Sequence, residues 1–299
     1  MRVVTIPRYF DEKGLDTVAG ELQPWPPEDK LLFDAHATRW ASPYGFTAML
    51  TAGQALRDRG AELPRLRVPD DQAVSSYWAK AGFFHHAAEY FELHGKVPRR
   101  APVGSSDVLL PVTPIRQSED VHQVVGGIQQ SAERILTSEL HLKAPDSMRF
   151  SMSLSEACQN VVEHAGGPGW VAVHAYNWRE RLKRRVVVIA VCDSGVGFRA
   201  SLEPTQARHH GDRWGDKAAL EDALFHSVSR FPQPGRGQGL AAIKRFVLQH
   251  KGRLSIRSGT ARLAHLPDWD NGPPLQDGLP FFPGAQLQIV IPSTEALPP

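Results

Sequence analysis

The sequence predicts an α/β protein of two units, a small α/β domain followed by an α/β sandwich on a mixed, mostly antiparallel sheet. Three observations point there. The first 95 or so residues alternate short apolar runs with helical spacing, and a β-α-β-α succession packs helices on a small sheet. A stretch rich in Pro, Gly and Ser then breaks both periodicities. Beyond it, amphipathic helical patterns precede β-branched strands. The expected division is residues 1–97, a linker over 98–118, and residues 119–299.

The elements follow in order. Val3-Val-Thr-Ile6 reads as a strand, Asp16 to Leu22 as a helix and Leu31-Leu-Phe33 as a second strand. Phe46 to Leu56 has helical spacing in Phe46, Met49, Leu50 and Leu56. Leu66 and Val68 mark a third strand, and Asp71 to Ala81 a further helix. Lys96-Val-Pro98 through Pro102, Gly104, Ser105 and Ser106, with Pro111 and Pro114 after, continues neither a helix nor a central strand.

The second unit opens with a predicted helix from Glu119 to Leu140, then another from Asp146 to Ala165. The latter's apolar stripe is Leu154, Ala157, Cys158, Val161, Val162 and Ala165. Trp170 to Tyr176 alternates as a strand, and the basic run Arg179 to Arg185 reads as a solvated hairpin end. Val186 to Cys192 is β-branched enough for a strand covered on both faces. Residues 198–234 are polar, with one helical pattern over Ala218 to Val228. Leu240 to Gln249 is a helix; Arg253 to Arg257 and Leu287 to Ile291 are strands, and the Pro-, Gly- and Trp-rich insert from Thr260 to Pro283 lies outside the core pattern.

Bulk properties exclude several classes. Of 299 residues 41% are hydrophobic, as suits globular cores, and a net charge of +2 gives no general attraction to nucleic acid or anionic membrane. Two cysteines, Cys158 and Cys192, supply neither a disulfide framework nor zinc spacing; both sit in apolar runs, as buried free thiols would. Met1 to Pro7 lacks a signal-peptide core, and no apolar run reaches the ~20 residues that span a bilayer. The expected location is cytoplasmic. The adjacent pairs His85-His86 and His209-His210 have no acid cluster nearby and read as surface residues.

Three short stretches carry chemistry. Glu156, Asn160 and His164 recur at i, i+4 and i+8, forming a polar stripe beside the apolar one. An amide oxygen suits magnesium, whose remaining ligands are phosphates and waters. A carboxylate one turn earlier can polarise a water. Ser153-Leu-Ser-Glu156 also fits a capping box, in which Glu156 would be structural. Asp193-Ser-Gly195-Val-Gly197 closes the most apolar strand, and its carboxylate can accept from the exocyclic amine of adenine; a plain Asp-Ser-Gly turn is the alternative. Gly235-Arg236-Gly237-Gln238-Gly239 leads into a helix at Leu240. Glycine-freed amides and a helix N-terminus attract phosphate, and Arg236 and Lys244 add charge, although the Walker pattern is not matched.

The order and placement of these boxes resemble the GHKL superfamily of gyrase, Hsp90, histidine kinases and MutL, over residues 119–292. Ser155 to His164 is especially similar to the anti-sigma-factor serine kinase branch. The resemblance implies a Bergerat α/β sandwich binding ATP and Mg2+. Glu156 would be the catalytic base and Asn160 the metal ligand. Asp193 would contact adenine, Gly195 and Gly197 would shape the base pocket, and Gly235 to Gly239 would close over the phosphates, with His164, Gln238, Leu240 and Lys244 in the same site. Gly284-Ala285 departs from the family's Gly-Thr pair.

Residues 1–95 resemble a STAS domain, with Leu31 to Gly45 similar to its phosphoacceptor segment. Tyr44 takes the place of the phosphorylated serine and Ser42 that of the preceding Asp, so a conventional acceptor is absent. The implied protein is a cytoplasmic Mg-ATP-binding regulator. Nucleotide state would control its interaction with a STAS-like or sigma-factor-like protein, with ATP hydrolysis or serine/threonine kinase activity open. Neither nucleic acid nor membrane is expected as a partner, and a homodimer is compatible with the reading. The alternatives are a non-catalytic anti-sigma-type or scaffold module, and a histidine kinase core without its dimerisation region.

Overall fold

A computed structural model of the chain describes residues 1–98, 108–116, 140–161, 168–226, 228 and 238–297. The helix expected over Glu119 to Leu140 lies outside the described residues except for its last position. In the first unit four strands, β1 (Arg2–Thr5), β3 (Leu31–Asp34), β5 (Arg65–Arg67) and β6 (Glu92–His94), pair in parallel in that order. A two-residue parallel pair joins β2 (Tyr9–Phe10) to β4 (Trp40–Ala41).

Helices connect the parallel strands. The first, α1 (Glu12–Glu21), starts where Asp11 accepts hydrogen bonds from the amides of Lys13 and Gly14. The second, α2 (Pro43–Asp58), starts where Ser42 accepts from Gly45 N at 3.0 Å with Pro43 in the first turn. Both begin upstream of the apolar periodicity that predicts them, because the caps are polar. They are followed by α3 (Gln72–Lys80) and α4 (Phe83–Tyr90). The sequence reading missed α4 and β6. β6 has three residues and one apolar side chain, too little for a periodic signal.

The second unit is built on a seven-stranded sheet in the order β12-β11-β10-β13-β9-β8-β7. Its strands are β7 (Val108–Ile115), β8 (Gly169–Trp178), β9 (Arg184–Asp193), β10 (Arg253–Gly259), β11 (Ala261–His265), β12 (Leu275–Gln276) and β13 (Phe282–Ala296). Every pairing among its described residues is antiparallel, so the mixed sheet expected from the sequence is corrected to an antiparallel one. Residues 108–115 of the stretch expected as a linker form β7, with Pro111 and Pro114 on the outermost strand, where a missing N–H is tolerated.

Among the described residues four helices cover one face: α5 (Ala144–Asn160), α6 (Gly197–His210), α7 (Asp216–Phe225) and α8 (Gln238–Gln249). Leu154, Ala157 and Cys158 of α5, and Val161 just past its end, bury against Val171, Val173, Ile189 and Val191, joined by Ile243, Phe246 and Val247 of α8. The sequence reading missed α6, which buries Leu202 alone and contains Pro204. The insert from residue 260 supplies β11 and β12, with Trp269 packed on Trp178 and donating to Lys251 O.

The opposite face is covered by the first unit. Alternate residues of the same strands, Trp170, Ala172, Ala190 and Cys192, join one continuous core with Phe46, Leu50, Phe10, Phe83 and Phe33. α2 touches β7, β8, β9 and β13 on one side and α1, α4 and β4 on the other, and every residue from Pro43 to Leu56 is buried. Gly45, Ala48, Ala52, Gly53 and Ala55 keep the helix thin enough for both approaches. His86 is therefore not the surface residue expected. It bonds Val112 O at 3.1 Å and packs on Trp170, and burial is the chief cause that lowers its pKa to about 4. His85 is exposed.

An ion network locks α1 to the sheet edge. Glu12 meets Arg253 and Ser255, and Arg262 Nε at 3.3 Å; Asp16 meets Arg262 at 2.6 Å and Arg257 at 3.3 Å. The Arg257 side chain is fully buried. Removing one member strands the others, which costs more than the pair contributes. Glu12→Ala should destabilise the protein by about 3–5 kcal/mol, measured by urea denaturation of the full chain, whereas Glu92→Ala at the exposed pair Arg65–Glu92 should leave the denaturation midpoint nearly unchanged.

Candidate functional site

α5 brings Glu156 and Asn160 to one end of the helical layer. The helix starts at Ala144 after Lys143, so Ser153 lies in its interior, and the capping-box role for Glu156 is overturned. Glu156 is exposed and Asn160 half-buried. The start of α8 abuts them. A Cβ at Gly239 would lie 3.0 Å from both Cβ and Oε2 of Glu156 and 3.7 Å from Asn160 Nδ2, so the α8 backbone can approach these side chains only as glycine.

A groove of about 460 Å³ opens there, lined by Arg149, Met152 and Glu156 of α5 and by Gly239, Arg245 and Phe246 of α8, among others. Arg149 and Arg245 were not singled out in the sequence. Arg245 was detectable as the cation next to Lys244, on the helix that follows the glycines. Lys244 itself is placed with its ammonium 4.5 Å from the centroid of the Phe225 ring. Leu240 is half-buried against the helical-face core.

Asp193 ends β9 beside this cluster. Val161, the residue after Asn160, packs against Gly169, where a Cβ would lie 2.5 Å from Val161 Cγ1 and 3.4 Å from Asp193 Cβ. Asn160 and Asp193 are thus on the same side of the molecule, although Asp193 is not part of the groove lining. His164, Gly235, Arg236 and Gly237 lie outside the described residues; Gln238 is the first residue of α8, and only its backbone is described.

The Asp193 carboxylate is 7% exposed. Its Oδ1 accepts from Gly195 N at 2.9 Å and Ala285 N at 3.3 Å. The first bond is the turn anticipated for Asp-Ser-Gly. It occupies one oxygen, and Oδ2 accepts no hydrogen bond among the described residues. Burial raises the pKa from 3.8 to about 6, partly opposed by the two amides. Gly197 opens α6, where Ser258 Oγ accepts from Phe198 N and donates to Gly284 O, both at 3.0 Å. Gly284 has φ +73°, and a Cβ there would overlap the carbonyl oxygen of Asp193.

The described residues contain no group of three His, Cys, Asp or Glu able to hold a metal. A cation at Asn160 would depend on oxygens from a bound ligand. No helix among the described residues is long and apolar enough to cross a membrane. Cys158 and Cys192 are buried free thiols, as expected, and burial raises the pKa of each.

Residues 145–270 match the family of histidine kinase-, DNA gyrase B- and HSP90-like ATPases. The match runs from α5 through β11 and spans Glu156, Asn160, Asp193 and Gly239. Nothing among curated proteins matches the chain.

Two measurements check this geometry. Gly284→Ala should lower stability by on the order of 3 kcal/mol, since the added methyl meets backbone at a positive φ. Asp193→Asn keeps the Oδ1 acceptor and removes a buried charge. The native carboxyl binds its proton more tightly than the unfolded chain does, so its contribution to stability falls as pH rises from about 4 to about 6. The variant should therefore gain on the order of 2 kcal/mol over wild type at pH 8 and nothing at pH 3.5, read from denaturation midpoints.

Proposed function

We propose that the chain is a Mg-ATP-binding regulatory protein whose nucleotide site is built by Glu156, Asn160, Asp193 and the start of α8. The observation that carries this is the meeting of Gly239 with Glu156 and Asn160, at one end of a layer whose neighbouring strand ends in a buried carboxylate with one oxygen unbonded among the described residues. The family match over residues 145–270 supports it independently.

Each residue has a role in this reading. Asp193 Oδ2 accepts from the exocyclic amine of adenine, while Oδ1 stays fixed by Gly195 and Ala285. The backbone at Gly239 and the N-terminal end of α8 face the phosphates, with Arg245 supplying positive charge. Asn160 offers an oxygen ligand to the divalent ion, which when bound neutralises phosphate charge. Glu156 accepts a proton from the attacking water or hydroxyl, and its exposure leaves room for either. His164 and Gly235, Arg236 and Gly237 complete the phosphate side in the same reading.

We read residues 1–97 as a STAS-like unit and 98–107, up to the start of β7, as the connection to it. Parallel strands joined by helices support this, as does the placement of Ser42 and Tyr44 at the start of α2. Ser42 is 2% exposed and Tyr44 fully buried, with burial raising the Tyr44 pKa. Neither is accessible for phosphate transfer, so a transfer reaction would use an acceptor on a separate STAS-like or sigma-factor-like partner in the cytoplasm.

ATP with magnesium at 100 times its dissociation constant should stabilise the full chain by about 2.7 kcal/mol, seen as a rise of several degrees in melting temperature. Asn160→Ala should remove the magnesium dependence of that rise. Glu156→Ala should keep the rise and lower turnover by about 10²- to 10⁴-fold. A wild type that binds without turnover would leave the non-catalytic anti-sigma-type or scaffold reading; no rise with any nucleotide would refute the site. Adenosine affinity should fall as pH drops through about 6, because Oδ1 is held by two amides and protonation turns Oδ2 from an acceptor into a hydroxyl donor, and Asp193→Asn should abolish that step.

A further inference from the structure

Gln54 is an unusual residue for its position. It lies on α2 in the shared core and is 1% exposed. A buried amide is costly unless both its ends are bonded. Here they are, and the partners lie on the second unit. Nε2 donates to Ser194 Oγ at 2.9 Å and to Pro168 O at 3.3 Å, and Oε1 accepts from Trp170 Nε1 at 3.1 Å. The indole N–H can only donate, which fixes the orientation of the amide. Two turns earlier on the same face of α2, Thr47 Oγ1 meets Cys192 Sγ at 3.1 Å.

The residues held in this way flank the carboxylate. Cys192 and Ser194 are the immediate neighbours of Asp193, and Pro168 precedes Gly169, against which both Val161 and Asp193 lie. A helix of the first unit therefore grips the loop on both sides of the adenine-reading acid. A leucine or methionine would fill the same volume without the amide's desolvation cost.

We propose that Gln54 is a positioning residue for the Asp193–Gly197 loop, and that through it docking of the first unit and nucleotide occupancy are energetically coupled. The inference rests on Asp193 being the adenine contact. A loop held in its binding shape before ligand arrives binds more tightly than one that must be ordered. Coupling is reciprocal, so nucleotide must in turn hold α2 more firmly on the sheet.

The test uses the full chain with ADP as probe. Ser194→Ala cuts the bond from the loop side and leaves the α2 core intact. Gln54→Leu cuts it from the helix side. Ser194→Ala should weaken ADP binding by about fivefold and Gln54→Leu, which also cuts the bonds to Pro168 and Trp170, by at least as much; the double variant should bind no more weakly than Gln54→Leu alone, in which the Ser194 bond is already lost. ADP should slow hydrogen exchange of the α2 amides in wild type and fail to do so in Ser194→Ala at saturating ADP, a readout that lost packing alone would not move. ADP binding that requires Asp193 yet is unchanged by Ser194→Ala overturns the coupling and leaves the nucleotide site standing. ADP binding indifferent to Asp193→Asn, or absent from wild type, overturns both.

Discussion

The two-sided burial of α2 is the constraint on which the rest of the structure depends. A helix enclosed by solvent-excluded surfaces on both flanks cannot be amphipathic in the ordinary sense, and α2 is not. Phe46, Met49 and Leu50 accompany Ala48, Ala52 and Gly53, and Thr47, Thr51 and Gln54 among its polar members are each bonded. Because Trp170, Ala172, Ala190 and Cys192 face this helix, the seven-stranded sheet has no free face. The two units share one core and are expected to unfold together.

Polar interactions then set the register of that packing. Glu12 and Asp16 engage Arg253, Arg257 and Arg262 near one edge, while Gln54 engages Ser194 and Trp170 near the end of β9. Hydrophobic burial alone tolerates sliding; paired buried charges and an oriented amide do not. The network fixes where α1 sits, and the amide fixes where α2 sits relative to Asp193.

Much of this was legible in the sequence, and the exceptions have physical causes. β9 was readable because Val186 to Cys192 must satisfy two apolar faces, and the apolar stripe of α5 because its partners lie on one side only. Asp193 and Asn160 stood out as candidates because one ends the most apolar strand and the other lies on a polar stripe of a helix. α6 and β6 were not, since α6 buries Leu202 alone, the one apolar side chain of β6 is only half-buried, and neither carries a period. The burial of His86 and the role of Gln54 were also invisible, because both arise from contacts with strands far away in the chain. The boundary drawn from Pro and Gly content contains β7, because an outer strand accommodates the very residues that argue against a central one.

That outer strand has a further consequence. Pro111 and Pro114 cannot donate to another chain, and the register of β7 against β8 slips twice along its length. A strand so interrupted is a poor template for intermolecular β-pairing. The sheet thus terminates itself at that margin, which shields a protein with such β-branched interior strands from edge-to-edge self-association during folding.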